Sequence, residues 1–302
     1  MHHAVTVRTP AKVNIDLSVG PLREDGYHDL VTVFHAVSVY DDVIVQASAP
    51  GSGVSIDVSG SDAEYVPRDD SNLAVRAAQL LARHVGIKPD VAISIRKQIP
   101  VAGGMAGGSA DAAGALVACD ALWRTELTKA TLSELAAELG SDVPFALHGG
   151  TAIGTGRGEQ LTPALARGEF HWVFATSKRG LSTPKVYAEC DRLRGPGFNE
   201  PAAMSSHVMA ALRSGDPVAL GHSLDNDLQR AALSLRPDLG LLLEVGDDYG
   251  ALGGIVSGSG PTCAFLVRDD EHALDVSVAL SASGVCDRVI RAHGPVPGAR
   301  VL

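Results

Sequence analysis

The stretch "PVAGGMAGGSADAAGAL", residues 100–116, constrains this chain more than any other. Gly103, Gly104, Gly107 and Gly108 stand directly before an alanine-rich run that reads as a helix from about residue 108 to 122. Glycine lets the backbone approach a ligand closely and adopt positive φ. Amides gathered before a helix N-terminus form a concave anion site, with roughly half a unit of positive charge supplied by the dipole. A tight turn with close helix–sheet packing explains one or two of these glycines but poorly explains four with small neighbours. A polyphosphate is therefore the expected ligand of the run Pro100, Val101, Ala102, Gly103, Gly104, Met105, Ala106, Gly107, Gly108, Ser109 and Ala110.

Three familiar glycine signatures do not fit. A Walker loop needs G-x-x-x-x-G-K-[ST], and no lysine follows these glycines. A dinucleotide fingerprint wants an early βαβ unit and an acidic residue about 20 positions on. Asp120 or Glu126 could serve as that residue, but the strand-rich segment before the loop fits badly. A protein-kinase glycine loop lies between strands and comes with V-A-I-K and H-R-D, which are missing.

Composition narrows the partners. With 45% apolar and 20% charged residues among 302, the chain is globular. A net charge of -10 argues against nucleic acid or an anionic membrane as a broad partner, yet leaves room for a local anion site built from amides. The four cysteines, Cys119, Cys190, Cys263 and Cys286, form no C-x-x-C pair and read as free thiols in a reducing compartment. No run approaches the ~18 apolar residues of a membrane span. The expectation is a soluble, cytoplasmic protein whose oligomeric state the sequence leaves open.

Runs such as "VTVR" (5–8), "VNIDLSV" (13–19), "LVTVFHAVSVY" (30–40), "DVIVQA" (42–47) and "VSIDVS" (54–59) carry the period-two, β-branched pattern of strands. A helix starts near Asn72, with Ser71 or Asn72 as its cap, and Thr131-x-x-Glu134 predicts a capping box for another. Ser182-Thr183-Pro184 fits a helix start with proline in the first turn. Helices are expected across 201–213, 216–234 and 236–249, with a strand over 285–291. The glycine cluster "GTAIGTGRGE" (150–159) is the best candidate seam between domains 1–155 and 156–302. Strands and helices are segregated, so the predicted fold class is α+β rather than doubly wound.

The stretch "KQIPVAGGMAGGSADAA" resembles the second motif of the GHMP kinases, the galactokinase, homoserine, mevalonate and phosphomevalonate kinase superfamily. "PAKVNIDLSVGPLREDGYHDL" (10–30) resembles the first motif and "GIVSGSGPTCAFLV" (254–267) the third, so the likeness spans nearly the whole chain. Within the superfamily, P-A-K-x-N, then D-G-Y-H, then L-G-S-D-V-P-F is similar to the branch that phosphorylates a cytidine-diphosphate-linked methylerythritol in the non-mevalonate isoprenoid pathway. The resemblance implies an N-terminal ATP-binding domain and a C-terminal substrate domain with the active site in the cleft between them. It also implies ATP as co-substrate, Mg2+ carried with the ATP, and a small cytidylylated polyol as partner.

By the same resemblance, Lys12 and Asp142 are the catalytic pair, the aspartate accepting the proton of a tertiary hydroxyl and the lysine stabilising developing charge. The strand pattern adds its own support, because Lys12, Asn14 and Asp16 alternate with Ala11, Val13 and Ile15 and so share one face. Asn14 and Asp16 are candidates for holding the polyol. Asp142, just before Pro144, has a plainer reading as a helix cap. Gly26, Tyr27 and His28 are the implied substrate-selecting segment: Tyr27 stacks on cytosine, His28 bonds its polar edge, and Tyr187 closes the sandwich where relatives often carry phenylalanine. Gly258, Ser259 and Gly260 bring backbone close to the substrate, although a structural hairpin explains them equally. Asn72 and Lys97 fall where relatives contact adenine and ribose. The metal-binding glutamate of many superfamily members has no placed counterpart, Glu138 and Glu159 matching only loosely. The rival readings are a kinase for mevalonate, homoserine or a sugar, a nucleotide-binding regulator without catalysis, and a dinucleotide-dependent oxidoreductase.

Overall fold

The computed structural model describes residues 4–101 and 103–302. The short strands expected near the N-terminus merge into two long ones, β1 (Ala4–Leu22) and β2 (His28–Ala47), paired antiparallel through a turn at Asp25-Gly26. Register shifts at Pro10/Ala11, Asn14/Asp16 and Val19/Leu22 bend the ribbon, and Pro10 sits at one of them, where its missing N–H is tolerated. β3 (Val54–Gly60), α1 (Leu73–Val85) and β4 (Val91–Lys97) follow, with β4 antiparallel to β2 and parallel to β3.

The alanine-rich run becomes α2 (Gly107–Trp123), buried on nearly every side against α1, β1 and β2. Gly114 allows that approach, since a Cβ there would lie 2.6 Å from Val43. α3 (Lys129–Leu139) begins earlier than the proposed capping box. Thr128 is its N-cap, its hydroxyl accepting the Thr131 amide at 3.1 Å, so Thr131 lies inside the helix. α4 (Val143–His148) is a short helix with Pro144 in its first turn. The glycine cluster 150–159 folds as a hairpin of β5 (Thr151–Gly156) and β6 (Gln160–Pro163), with β5 paired to β2.

A second layer of structure is built on β7 (Phe170–Thr176), followed by α5 (Thr183–Arg194), α6 (Ser206–Ser214) and α7 (Pro217–Gly221). The segment 216–234, expected as one helix, is interrupted by β8 (Asp225–Asn226), which pairs parallel with β1 before α8 (Gln229–Leu235). Then come α9 (Asp238–Asp248), β9 (Gly253–Val256), β10 (Cys263–Val267), α10 (Asp270–Ser283), β11 (Arg288–Gly294) and β12 (Arg300–Val301).

The first sheet runs β12-β1-β2-β4-β3, with β5, β6 and β8 attached, and the second runs β11-β7-β10-β9. The fold is mixed α and β with segregated elements. One core packs the first sheet against α1–α4 and extends to Trp172, Phe174, Ala264 and Leu266 of the second sheet, and another packs Val173, Phe265 and Val267 against α5, α8, α9 and α10. Leu17 and Val19, from the far end of β1, belong to the second core, so β1, like β7 and β10, contributes to both. No helix among the described residues is long and apolar enough to cross a membrane.

Candidate active site

β1 turns Ala11, Val13 and Ile15 into the first core and leaves Lys12 and Asn14 on the opposite face. Lys12 Nζ lies 3.7 Å from Asp142 Oδ2 and donates to Asn14 Oδ1. Asn14 Nδ2 donates to Thr32 Oγ1 at 2.8 Å, and that hydroxyl donates to the Asp16 carbonyl at 2.7 Å. The lysine is therefore held by a buried chain of polar groups. Its side chain is 7% exposed, and burial pushes its pKa below the usual range, an effect the nearby Asp142 carboxylate opposes. Asp142 occupies the N-cap position of α4, yet its side chain makes no capping bond. It faces Lys12 instead, so the plain capping role does not account for it.

Asp16 does not join this pair. The register shift at Asn14/Asp16 places one extra residue in the strand, and beyond it Leu17 faces the cleft. Asp16 turns away, accepts the Ser205 amide at 3.0 Å, and is buried near Asp225 and Asp227. Desolvation, aided by those two neighbours, raises its pKa to about 6. Strict alternation put it on the wrong face because the bulge is invisible in the residue pattern.

The glycine loop lies across Lys12, with the Met105 carbonyl accepting the Lys12 amide at 3.2 Å. Ala106 adopts φ 60 and starts α2. The Ala110 amide already donates to Ala106, whereas those of Gly107, Gly108 and Ser109 find no acceptor among the described residues. Gly103, Gly104, Ala106, Gly107 and Gly108 line a chamber of about 380 Å³ together with Lys12, Asn14 and Asp142. Ser109 is half-buried beside that lining, while Met105 and Ala110 point into the core. Pro100 and Val101 line a separate hollow with Tyr65 and Lys178. Ala102 lies outside the described residues.

The third motif closes the same chamber. Gly258, Ser259 and Gly260 line it, and Gly258 takes φ 56, where a Cβ would sit 3.1 Å from Asn14 Oδ1 and 3.5 Å from Lys12 Nζ. The two glycine loops interlock: a Cβ on Gly104 would fall 2.3 Å from the Ser257 carbonyl, and Ser257 Oγ donates to the Gly104 carbonyl at 3.1 Å. Part of the glycine content thus serves loop-on-loop packing.

A second chamber of about 710 Å³ adjoins the first. Gly26, Tyr27, His28 and Tyr187 line it. Tyr27 is 53% exposed, its ring presented by the β1–β2 turn, where Gly26 has φ 82. His28 Nε2 shares a hydrogen bond with Asp191 Oδ1 at 2.9 Å, and its ring lies 5.1 Å from that of Tyr187. Burial raises the pKa of the Tyr187 phenol.

Lys97 and Asn72 do not line either chamber. Lys97 is 1% exposed at its side chain and lies 2.5 Å from Asp41 Oδ2 and 2.7 Å from Asp111 Oδ2, beneath the first turn of α2. Its ammonium is sealed inside an ion triad and cannot touch a nucleotide in this arrangement. Asn72 caps α1, its buried side chain accepting the Ala74 amide and donating to the Pro67 carbonyl. The sequence reading missed several residues of the site, four polar ones among them. Thr32, Thr183 and Arg157 line the chambers, and buried Asn226 fixes the third motif by donating to the Val256 and Gly258 carbonyls at 2.7 and 2.8 Å. None carries a local signal, because their role arises from strands meeting across long sequence separations. Among the described residues no three His, Cys, Asp or Glu side chains gather to hold a metal ion.

Comparison with known proteins accords with this geometry. The GHMP kinases N terminal domain matches residues 72–150, and the GHMP kinases C terminal domain matches residues 208–286. A 4-diphosphocytidyl-2-C-methyl-D-erythritol kinase of Thermobifida fusca is 60% identical, covering 99% of this chain and 98% of its own. The chain belongs to the GHMP kinases, in the family of that relative. A second member, from Mycolicibacterium smegmatis and of the same name, is 59% identical over 99% of this chain and 92% of its own. The crystal structure of a 4-(cytidine 5'-diphospho)-2C-methyl-D-erythritol kinase superposes with a TM-score of 0.77 at 33% identity, covering 95% of this chain and 98% of that one. A mevalonate kinase from L. major in complex with R-mevalonate superposes with a TM-score of 0.78 at 16% identity, covering 96% of this chain and 95% of that one, which speaks to the shared fold alone.

Proposed function

We propose that this GHMP kinase transfers the γ-phosphoryl group of ATP to the 2-hydroxyl of 4-diphosphocytidyl-2-C-methyl-D-erythritol, a step of the non-mevalonate isoprenoid pathway. The observation that carries this reading is the juxtaposition of two chambers. One holds Lys12 and Asp142 beneath free helix-start amides, and the other presents Tyr27, His28 and Tyr187. The first suits a triphosphate meeting an alcohol; the second suits a flat polar ring.

The ATP triphosphate rests on the amides of Gly107, Gly108 and Ser109, with the α2 dipole behind them. The acceptor hydroxyl enters between Lys12 and Asp142. Asp142 accepts its proton, and the Lys12 ammonium, steadied by Asn14, stabilises the charge on the transferring group. Gly258 holds backbone close to this pair without crowding it. A magnesium ion carried by the nucleotide would supply charge neutralisation for the transferring group, and no side chain of this chain is assigned to hold it. Tyr27 and Tyr187 flank the cytosine, His28 bonds its edge, and each stacked face contributes about 1–3 kcal/mol. That energy separates a cytidylylated acceptor from a bare polyol.

A coupled ADP-release assay with Mg-ATP tests the proposal across four acceptors: the cytidylylated methylerythritol, mevalonate, homoserine and galactose. Turnover is expected with the first alone. Comparable turnover of any other acceptor overturns the substrate assignment, and ATP consumption independent of the acceptor overturns the kinase reading.

A further inference from the structure

The glycine cluster at 150–159 has no role in the mechanism above, yet it aims one cation at the site. Gly156 and Gly158, with φ 72 and 105, flank Arg157 at the tip of the β5–β6 hairpin. The Arg157 amide donates to Glu159 Oε2 at 2.8 Å, and the Gly158 amide donates to Thr155 at 3.0 Å, so the turn is internally braced. The Arg157 guanidinium lies 4.9 Å from the centroid of the Tyr27 ring, a cation–π contact that holds it at the mouth of the second chamber.

Five residues line both chambers: Leu30, Ser141, Arg157, Thr183 and Tyr187. Arg157 is the only charged one. Arg23, Arg192, Arg194 and Arg236 are each paired with a carboxylate, whereas among the described residues no carboxylate pairs with Arg157. Lys12, the other cation of the site, is buried and engaged by Asp142 and Asn14. A ligand with its base in one chamber and its reacting alcohol in the other must pass its linking group across the junction where Arg157 stands.

We propose that Arg157 grips the diphosphate joining cytidine to the polyol and so selects nucleoside-diphosphate-linked acceptors over uncharged nucleosides. The proposal rests on the kinase reading above and adds a specificity residue to it. A planar guanidinium suits the paired phosphate oxygens better than an ammonium does.

The test measures binding of cytidine and of CDP to the wild type, Arg157→Gln and Arg157→Lys, together with KM for each substrate. The wild type is expected to prefer CDP to cytidine, and Arg157→Gln to lose about tenfold or more of that preference while holding cytidine as before. Arg157→Lys should keep part of it. KM for the cytidylylated acceptor should rise and KM for ATP stay. An unchanged CDP preference in Arg157→Gln overturns the proposal while leaving the kinase reading intact. So does an equal loss of cytidine and CDP, which marks mere support of Tyr27, or a rise confined to KM for ATP, which places the arginine on the nucleotide. If neither cytidine nor CDP binds the wild type, the kinase reading fails and the proposal goes with it.

Discussion

Replacing Lys97 with methionine removes the only cation from a site that keeps two carboxylates out of water. Lys97 Nζ stands 2.5 Å from Asp41 and 2.7 Å from Asp111, and the three side chains are 1%, 0% and 4% exposed. Asp41 retains two other donors, the amides of Gln98 and Ile99 at 2.6 and 3.0 Å. Asp111 has no such reserve: its Oδ1 is buried without a partner, and burial already raises its pKa well above the carboxylate range. Breaking a buried ion network by deleting one member costs about 3–5 kcal/mol, and Asp111 bears most of it here. The double variant Lys97→Met/Asp111→Asn should therefore recover about 1–3 kcal/mol, because the amide carries no unpaired charge. A carboxyl whose folded pKa lies above its unfolded value binds more protons when folded, so its contribution to stability falls as pH rises. The deficit of Lys97→Met should accordingly be smaller near about pH 5 than near pH 8. Urea unfolding followed by fluorescence of Trp123 and Trp172 reads these differences. The ammonium lies 3.2 Å from where a Gly107 Cβ would sit, so KM for ATP should rise too as the loop loses its support. A loss below about 1 kcal/mol, or no recovery on adding Asp111→Asn, would refute the view that this triad carries the loop.

Three further outcomes follow from the site. Asp142→Asn and Lys12→Ala should each lower kcat by about 10²-fold or more with unchanged circular dichroism; near-normal turnover in either folded variant removes the assigned role. Tyr187→Ala should raise KM for the cytidylylated acceptor by the equivalent of about 1–3 kcal/mol of stacking while leaving KM for ATP unchanged, and an equal effect on both would point to general unfolding of the cleft. Asp16 has a folded pKa raised from 3.8 to about 6, so the native state holds its proton more tightly and stability is lost as pH climbs from about 4 to 6. Asp16→Asn should flatten that slope and stabilise the protein at neutral pH by the order of 3 kcal/mol, at 1.36 kcal/mol per pKa unit; a pH profile identical to wild type would contradict the burial argument.

Much of the site was legible because its chemistry sits in short contiguous motifs. The glycine run before α2, the Lys12–Asn14 pair and the Gly26–His28 turn each announce themselves within a few residues, and the structure brings them around one cleft. The burial of Lys97 and Asn72 was not legible, because it is set by neighbours that are distant in sequence or by the turn before α1. Asp16 was misread because a single bulge reverses the facing of every later residue on a strand. The merging of short strand patterns into β1 and β2 escaped notice for a related reason: a bent strand interrupts its own alternation.

From the sequence alone came the segregated α+β character, the glycine-rich backbone before a helix start and the side chains proposed to react, since these depend on local periodicity and on which functional groups are present. Only the tertiary structure decided which groups meet. Asp142 reaches Lys12 across 130 positions, Asn226 locks Gly258 from a separate strand, and Arg157 reaches the Tyr27 ring from a distant hairpin. Such contacts are set by strand register and by packing between sheets, where an offset of one residue exchanges a buried face for an open one, and no short window of residues encodes that choice.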